Sequence, residues 1–274
     1  MSLKDSECIA FLQWALPRLH LRWMGFRKVR RQVCKRVQRR INELDLPCPV
    51  VYQEYLDKHT DEWSVLDRLC RITISRFYRD RRVYSFLACS ILPELAKRAI
   101  KDGGDTVRIW SVGCGSGEEP YSVALLWMLD LQTRFPTLSL QIMATDIDGV
   151  MLRRAQQACY ASGSLKDLPQ SWRNVAFEAV DRTFCLRTRF KRQVIFAQHD
   201  IRRGVPGGTF HLILCRNLVF TYFDTVLQRA ILRALIDVML PRGVLVLGIH
   251  EQLPEKTPRL ETCSEKYRVY RKCP

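Results

Sequence analysis

Before Ile100 the apolar positions of the chain recur with a helical period. Phe26, Val29, Val33, Val37, Ile41 and Leu44 follow one another at spacings of three and four, so they share one helix face. The other face carries Arg27, Lys28, Arg30, Arg31, Lys35, Arg36, Arg39 and Arg40, with no acid before Glu43. Pro47 and Pro49 predict the end of this helix, because proline cannot donate within a helix interior. Further helical patterns run over 51–58, 62–74 and 81–100. After Gly103-Gly104 short β-branched runs alternate with amphipathic stretches, the pattern of a parallel sheet covered by helices. Strands are expected at 107–112, 140–144, 194–197, 211–215 and 244–248, with a last edge strand at 267–270, and helices at 118–131, 149–158 and 225–240. Between 160 and 196 the alternation breaks. There Phe184, Leu186, Thr188 and Phe190 at every second position predict a small antiparallel insertion without a glycine-marked hairpin turn. The expected class is α/β. An all-α N-terminal domain covers 1–80, a linker helix 81–103, and a Rossmann-like domain with the β insertion (160–196) covers 104–274.

Composition narrows the picture. The chain has 274 residues, 47% hydrophobic and 26% charged, which is enough to bury a core and argues against disorder. The formal net charge of +16 favours acidic partners. The 11 cysteines are scattered singly with no Cys-x-x-Cys pair, which argues against a zinc ribbon, a thioredoxin-like site or a secreted disulfide framework. Reduced thiols in a cytoplasm are expected. Lys4, Asp5 and Glu7 before a short apolar stretch read as a helix start and not as a signal peptide, and Met1-Ser2-Leu3 as a cloning scar. No apolar run approaches the ~20 residues of a membrane span. Five histidines lack ligand spacing, so no metal site is expected.

The first candidate chemistry lies at Gly113-Cys114-Gly115-Ser116-Gly117-Glu118-Glu119. Alternate glycines after a strand and before a helix let a ligand approach the backbone. The spacing lacks the later glycine of the dinucleotide fingerprint, and two glutamates at the helix start would repel a pyrophosphate. A cationic ligand is tolerated there. S-adenosylmethionine (SAM) offers an ammonium and a sulfonium and no phosphate. Asp146 ends the next strand, where such folds bind ribose hydroxyls; taken alone, it would serve equally as a helix cap.

Four stretches together make the reading specific: Ser111–Ala124 (SVGCGSGEEPYSVA), Leu214–Asp224 (LCRNLVFTYFD), Thr73–Asp80 (TISRFYRD) and Gly248-Ile249-His250-Glu251. In order and spacing they resemble the motifs of CheR-type chemoreceptor glutamate methyltransferases. The resemblance implies SAM as cofactor, S-adenosylhomocysteine as product, and a methyl ester on a glutamate side chain. By that resemblance Arg79 reaches in beside the sulfonium, and Thr73 and Ser75 contact the cofactor. Gly113 and Glu119 hold its methionine part, Asp146 its ribose, and Ile147, Asp200 and Ile201 lie near its adenine. Arg216, Asn217 and Tyr222 line the methyl-transfer site, with Arg79 or Arg216 aligning the acceptor carboxylate. Asp200 stands where the family has Asn, and Phe77-Tyr78 where it has two phenylalanines. The Asn217-to-Tyr222 spacing is one residue long, which leaves Thr221 or Tyr222 for the tyrosine position.

The family's basic N-terminal helix is thought to lie against acidic receptor helices, so the expected partner is an acidic helical protein such as a chemoreceptor cytoplasmic domain. Another carboxylate or small-molecule acceptor, or a SAM sensor without turnover, are the alternatives. Nucleic acid fits less well: no Asn-Pro-Pro-Tyr-like amino-methylation motif stands at the sheet edge.

Overall fold

The computed structural model describes residues 4–274; Met1-Ser2-Leu3, read above as a cloning scar, lies outside the described residues. The chain packs as two units. One runs to Thr73 and takes in Thr221–Gln228; the other is Ile74–Phe220 with Arg229–Pro274.

The first unit is helical: α1 (Asp5–Ala15), α2 (Trp23–Phe26), α3 (Arg30–Glu43), α4 (Pro49–Lys58) and α5 (Glu62–Leu69). The apolar stripe does what its period implies, since Phe26, Val33, Val37 and Ile41 are all buried. It is broken, however, between Phe26 and Arg30, so the single expected helix is two. Pro49 does not end a helix but opens α4 in its first turn, where its missing N–H costs nothing. The pattern read to residue 74 stops at Leu69, and residues 70–76 are irregular.

Much of the basic face is used internally. Arg30 pairs with Asp5, and Arg36 donates to the Leu69 and Arg71 carbonyls. Arg40 grips Glu62, whose buried carboxylate also accepts from the Tyr52 hydroxyl. Within the same unit the segment 20–26 clasps 221–224. Leu21 bridges Phe223, Arg22 donates from its N–H to the Tyr222 carbonyl at 2.8 Å, and the Asp224 N–H donates to the His20 carbonyl at 2.9 Å.

The second unit is the α/β sheet. Its strands are β1 (Thr106–Val112), β2 (Ser139–Asp146), β3 (Cys159–Tyr160), β4 (Phe177–Val180), β5 (Thr183–Leu186), β6 (Val194–Gln198), β7 (Phe210–Cys215), β8 (Met239–Leu247), β9 (Leu260–Ser264) and β10 (Val269–Lys272). Seven of them form one sheet in the order β6-β2-β1-β7-β8-β10-β9. Pairing is parallel from β6 to β8, and antiparallel for β10 on both sides. The strand expected at the edge is thus internal: β9, which the sequence pattern did not predict, lies outside it.

The chain runs outward from β1 to β2 and β6, then returns to the other side of β1 with β7. The switch point between β1 and β7 is where open α/β sheets bind ligands, beyond the carboxyl ends of the strands. Helices Glu118–Leu126 and Leu92–Lys101 cover the sheet, each continuous with a π turn, at Trp127–Leu131 and Leu87–Ile91.

The insertion is a separate three-stranded antiparallel sheet, β3-β5-β4. Its hairpin turns at Asp181-Arg182, with Asp181 at φ 51°, a conformation Asp tolerates better than most residues; a glycine was not needed. The alternation read through Phe190 ends at Leu186, because Thr188–Lys191 turns as a short helix that buries Phe190.

Four thiols correct the expectation of reduced cysteines: Cys8–Cys34 and Cys159–Cys185 are disulfides. The second joins register partners of β3 and β5, and seven other cysteines are free. Single spacing along a chain cannot reveal such pairs, since helix packing and strand register create them.

Candidate active site

The glycine loop leaves β1 with Gly113 at φ 68° and Gly115 at φ 56°, left-handed values that side chains rarely adopt. A Cβ on Gly113 would also stand 2.4 Å from Leu218 Cδ2. The loop is tied to β2: the Gly113 and Cys114 N–H groups donate to the Thr145 carbonyl, and the Gly115 N–H to Asp146 Oδ2 at 2.8 Å. Asp146 Oδ1 accepts from the Asp148 N–H. The cap of the next helix is Asp148, which accepts from the Val150 and Met151 N–H groups; this takes up the capping role that Asp146 could have had.

Glu118 and Glu119 start the helix behind this loop. Glu118 is 4% exposed, and Ser116 Oγ and the Ser75 hydroxyl donate to it. Burial still lifts its pKa above the ordinary carboxylate range. Glu119 is lifted too, again by burial, against the opposing pull of Arg216 and Ser111. Its Oε1 accepts from Ser111 Oγ at 2.8 Å and its Oε2 from Arg216 Nη1 at 3.2 Å.

The Arg216 side chain, 2% exposed, also pairs with Asp80 through Nη2 at 2.7 Å and donates to the Arg79 carbonyl. Asp80 and Tyr78 are both left-handed, at φ 67° and 55°. Phe77 is fully buried edge-on to Tyr160 and Phe177, and Tyr78 stacks on Tyr84. A tight, anchored turn therefore presents Arg79, whose Nη1 donates to the Ile74 carbonyl.

Beside this turn lies a cleft of about 420 Å³ lined by Ser75, Arg79 and Asn217 together with Ile74, Arg76, Asp80, Gly163, Ser164, Lys166, Ile249 and His250. Asn217 follows β7 at φ 58°, and its N–H donates to Glu251. Glu251, 2% exposed, accepts from the Gly248 N–H as well, and so joins the ends of β7 and β8.

At the other side of the loop, His199 donates its N–H to the Asp146 carbonyl, which brings Asp200 next to β2. Burial alone would raise the Asp200 pKa, but hydrogen bonds and charge from Arg202 hold it lowered. Ile201 is buried, and Ile147 accepts from Gln198 through its carbonyl.

Thr73 and Tyr222 fall in the helical unit. There Thr73 is exposed, and the Tyr222 ring packs 5.0 Å from Phe26.

The family described as "CheR methyltransferase, SAM binding domain" matches residues 73–269. The chain belongs to that family. A "Chemotaxis protein methyltransferase" of Listeria monocytogenes is 31% identical over 185 residues, 68% of this chain and 67% of that protein. One of Vibrio parahaemolyticus is 34% identical over 192 residues, 68% of this chain and 66% of that one. An "Uncharacterized 104.1 kDa protein in hypE 3'region" of Rhodobacter capsulatus is 28% identical over 240 residues, 87% of this chain but a quarter of its own length (25%). Among solved structures, the N-methyltransferase NodS from Bradyrhizobium japonicum overlaps at a TM-score of 0.37 with 14% identity, over 68% of this chain and 98% of that one.

SAM is the cofactor of this family's domain, and the residues present suit it. Two little-solvated glutamates at one helix start, when ionised, disfavour a phosphate and favour an ammonium that compensates them. The glycine loop leaves space above Gly115, where no atom lies within 4 Å of the position a Cβ would take. Bound SAM would supply an electrophilic methyl group on its sulfonium.

Asp80, Glu251 and Lys166 were not singled out from sequence. Asp80 and Glu251 do end two of the four motifs, a signal that could have marked them.

Proposed function

We propose that this protein transfers the methyl group of SAM to glutamate side chains of an acidic helical protein of the chemoreceptor kind, on the cytoplasmic side of the membrane. No described helix is long and apolar enough to cross a membrane, which is compatible with such a role. The observation that carries the reading is the cleft beside the Arg79 turn, whose lining carries the cations Arg76, Arg79 and Lys166. An ammonium or hydroxyl acceptor would need a general base to free its nucleophile. A glutamate carboxylate, with a reference pKa near ~4.3, is ionised at neutral pH and needs none. Catalysis then reduces to orientation and exclusion of water, effects able to supply roughly 7–11 kcal/mol of a barrier.

On this reading Gly113 and Glu119 hold the methionine part of the cofactor and Asp146 its ribose, with Ile147, Asp200 and Ile201 beside the adenine. Thr73 and Ser75 make further cofactor contacts. Arg79 aligns the acceptor carboxylate, Asn217 lines the transfer site, and Arg216 acts by positioning Arg79 and Glu119. Arg31 and Lys35, exposed on α3, add long-range attraction for the acidic partner.

The test is transfer of labelled methyl from SAM to membranes containing bacterial chemoreceptors, followed by mild alkali. Label released as methanol is expected from a carboxyl ester. Alkali-stable label, or none while SAM binds, would overturn the reading.

A further inference from the structure

The charges that line the cleft do not balance. Arg76 is paired with Asp167, and Asp80 is taken by Arg216. Arg79 touches a neutral carbonyl, and Lys166, an exposed side chain on the same wall, has no carboxylate partner among the described residues.

A solvated lysine is usually unremarked, but this one is not on a free loop. Just before it, the Ser164 carbonyl accepts from the Phe77 N–H at 3.0 Å. Immediately after it, Asp167 pairs with Arg76 and accepts from Arg81 Nε through its carbonyl at 2.7 Å. The Lys166 backbone is therefore held between two anchors on the Arg79 turn, so that on binding only the freedom of its own side chain is lost.

We propose that Lys166 is a specificity residue for the acceptor: it pairs with the anionic group of the incoming substrate, and together with Arg79 it makes the cleft select acidic acceptors over amine-bearing ones. This rests on the carboxyl-methylation reading. Two unpaired cations on one wall attract an anion and repel an ammonium, so the same pair supplies affinity and rejection. Lys166 acts on binding and not on the reacting atoms, so its removal weakens acceptor affinity without touching the cofactor.

The experiment measures initial rates against chemoreceptor concentration in membranes for wild type, Lys166→Gln, Lys166→Arg and the control Lys256→Gln, an exposed lysine outside the cleft lining, with SAM affinity measured separately. Lys166→Gln should raise KM for the receptor about fivefold, near the upper end for an exposed ion pair, with kcat and SAM affinity retained. Its KM should also depend less on salt than that of wild type. Lys166→Arg and Lys256→Gln should stay near wild type. An unchanged KM in Lys166→Gln, or a loss confined to SAM affinity, would overturn the proposal. If wild type itself esterifies no receptor, carboxyl methylation falls and this inference with it; if wild type esterifies and Lys166→Gln matches it, only this inference falls.

Discussion

Arg216 donates from Nη2 to Asp80 Oδ2 at 2.7 Å, across 136 residues of chain, and its guanidinium is 2% exposed. The pair ties the end of β7 to the left-handed residue that follows Arg79, while the other arm of the fork reaches Glu119. One buried cation thus fixes both the turn that presents Arg79 and the carboxylate at the start of the glycine-loop helix. It is engaged by protein partners and so acts as a positioning residue.

Removing it should be costly. Arg216→Ala leaves two poorly solvated carboxylates without their counter-charge, a change worth roughly 3–5 kcal/mol when one member of a buried pair is lost. Arg216→Lys should recover only part, since an ammonium cannot span both acids as the planar fork does. Urea unfolding of the three proteins checks this; a loss under about 1 kcal/mol in Arg216→Ala would contradict so deep a burial of the pair.

On the proposed reading, in which Glu119 holds the ammonium of SAM, cofactor binding depends on pH. Burial raises its pKa, so its protonated form persists above the ordinary carboxylate range. An ammonium binds the ionised form. As pH falls through the raised pKa, the carboxylate is neutralised and SAM affinity should fall. Titration calorimetry from neutral pH downward should show the decline in wild type and a weaker, flatter affinity in Glu119→Gln. A pH-independent wild-type affinity over that range would remove Glu119 from the ammonium site.

Local features of the chain made the sheet and the glycine loop readable. The runs at 107–112 and 211–215 are short, largely apolar and mostly buried, and Gly113 to Glu119 carry their chemistry within seven consecutive positions. What stayed hidden depends on distant contacts. Asp80 and Glu251 sit inside quoted motifs, yet their roles appear only once Arg216, Asn217 and Gly248 are placed around them. β9 escaped because its pattern, Leu260–Ser264, is exposed and polar, and only pairing with β10 makes it a strand. Asp181 escaped because Asp can stand in for glycine at a left-handed turn position.

Gly25 is the tightest point of the clasp on 221–224. A Cβ there would lie 2.2 Å from the Thr221 carbonyl oxygen and 3.1 Å from Tyr222 Cδ1. The first of these neighbours is backbone, so Gly25→Ala must push the segment away, at about 1–3 kcal/mol for an overpacked contact. Hydrogen exchange should quicken at the Arg22 and Asp224 amides, whose acceptors are the Tyr222 and His20 carbonyls. Unchanged protection at both amides would mean that the clasp does not hold Tyr222.

The disulfides bear directly on where the protein works. Each closes 26 residues of sequence separation, and a loop of that size is worth roughly 3–4 kcal/mol of chain entropy in the unfolded state. Cys8–Cys34 clips α1 to α3, and Cys159–Cys185 clips β3 to β5. Alkylation of the unfolded, unreduced protein, read by mass, should label seven cysteines, with four more reacting only after reduction. Reduction should also lower the thermal midpoint. Eleven labelled thiols without reductant would show that the pairs stay reduced, as a cytoplasmic setting favours; α1–α3 and β3–β5 would then rest on packing and register alone.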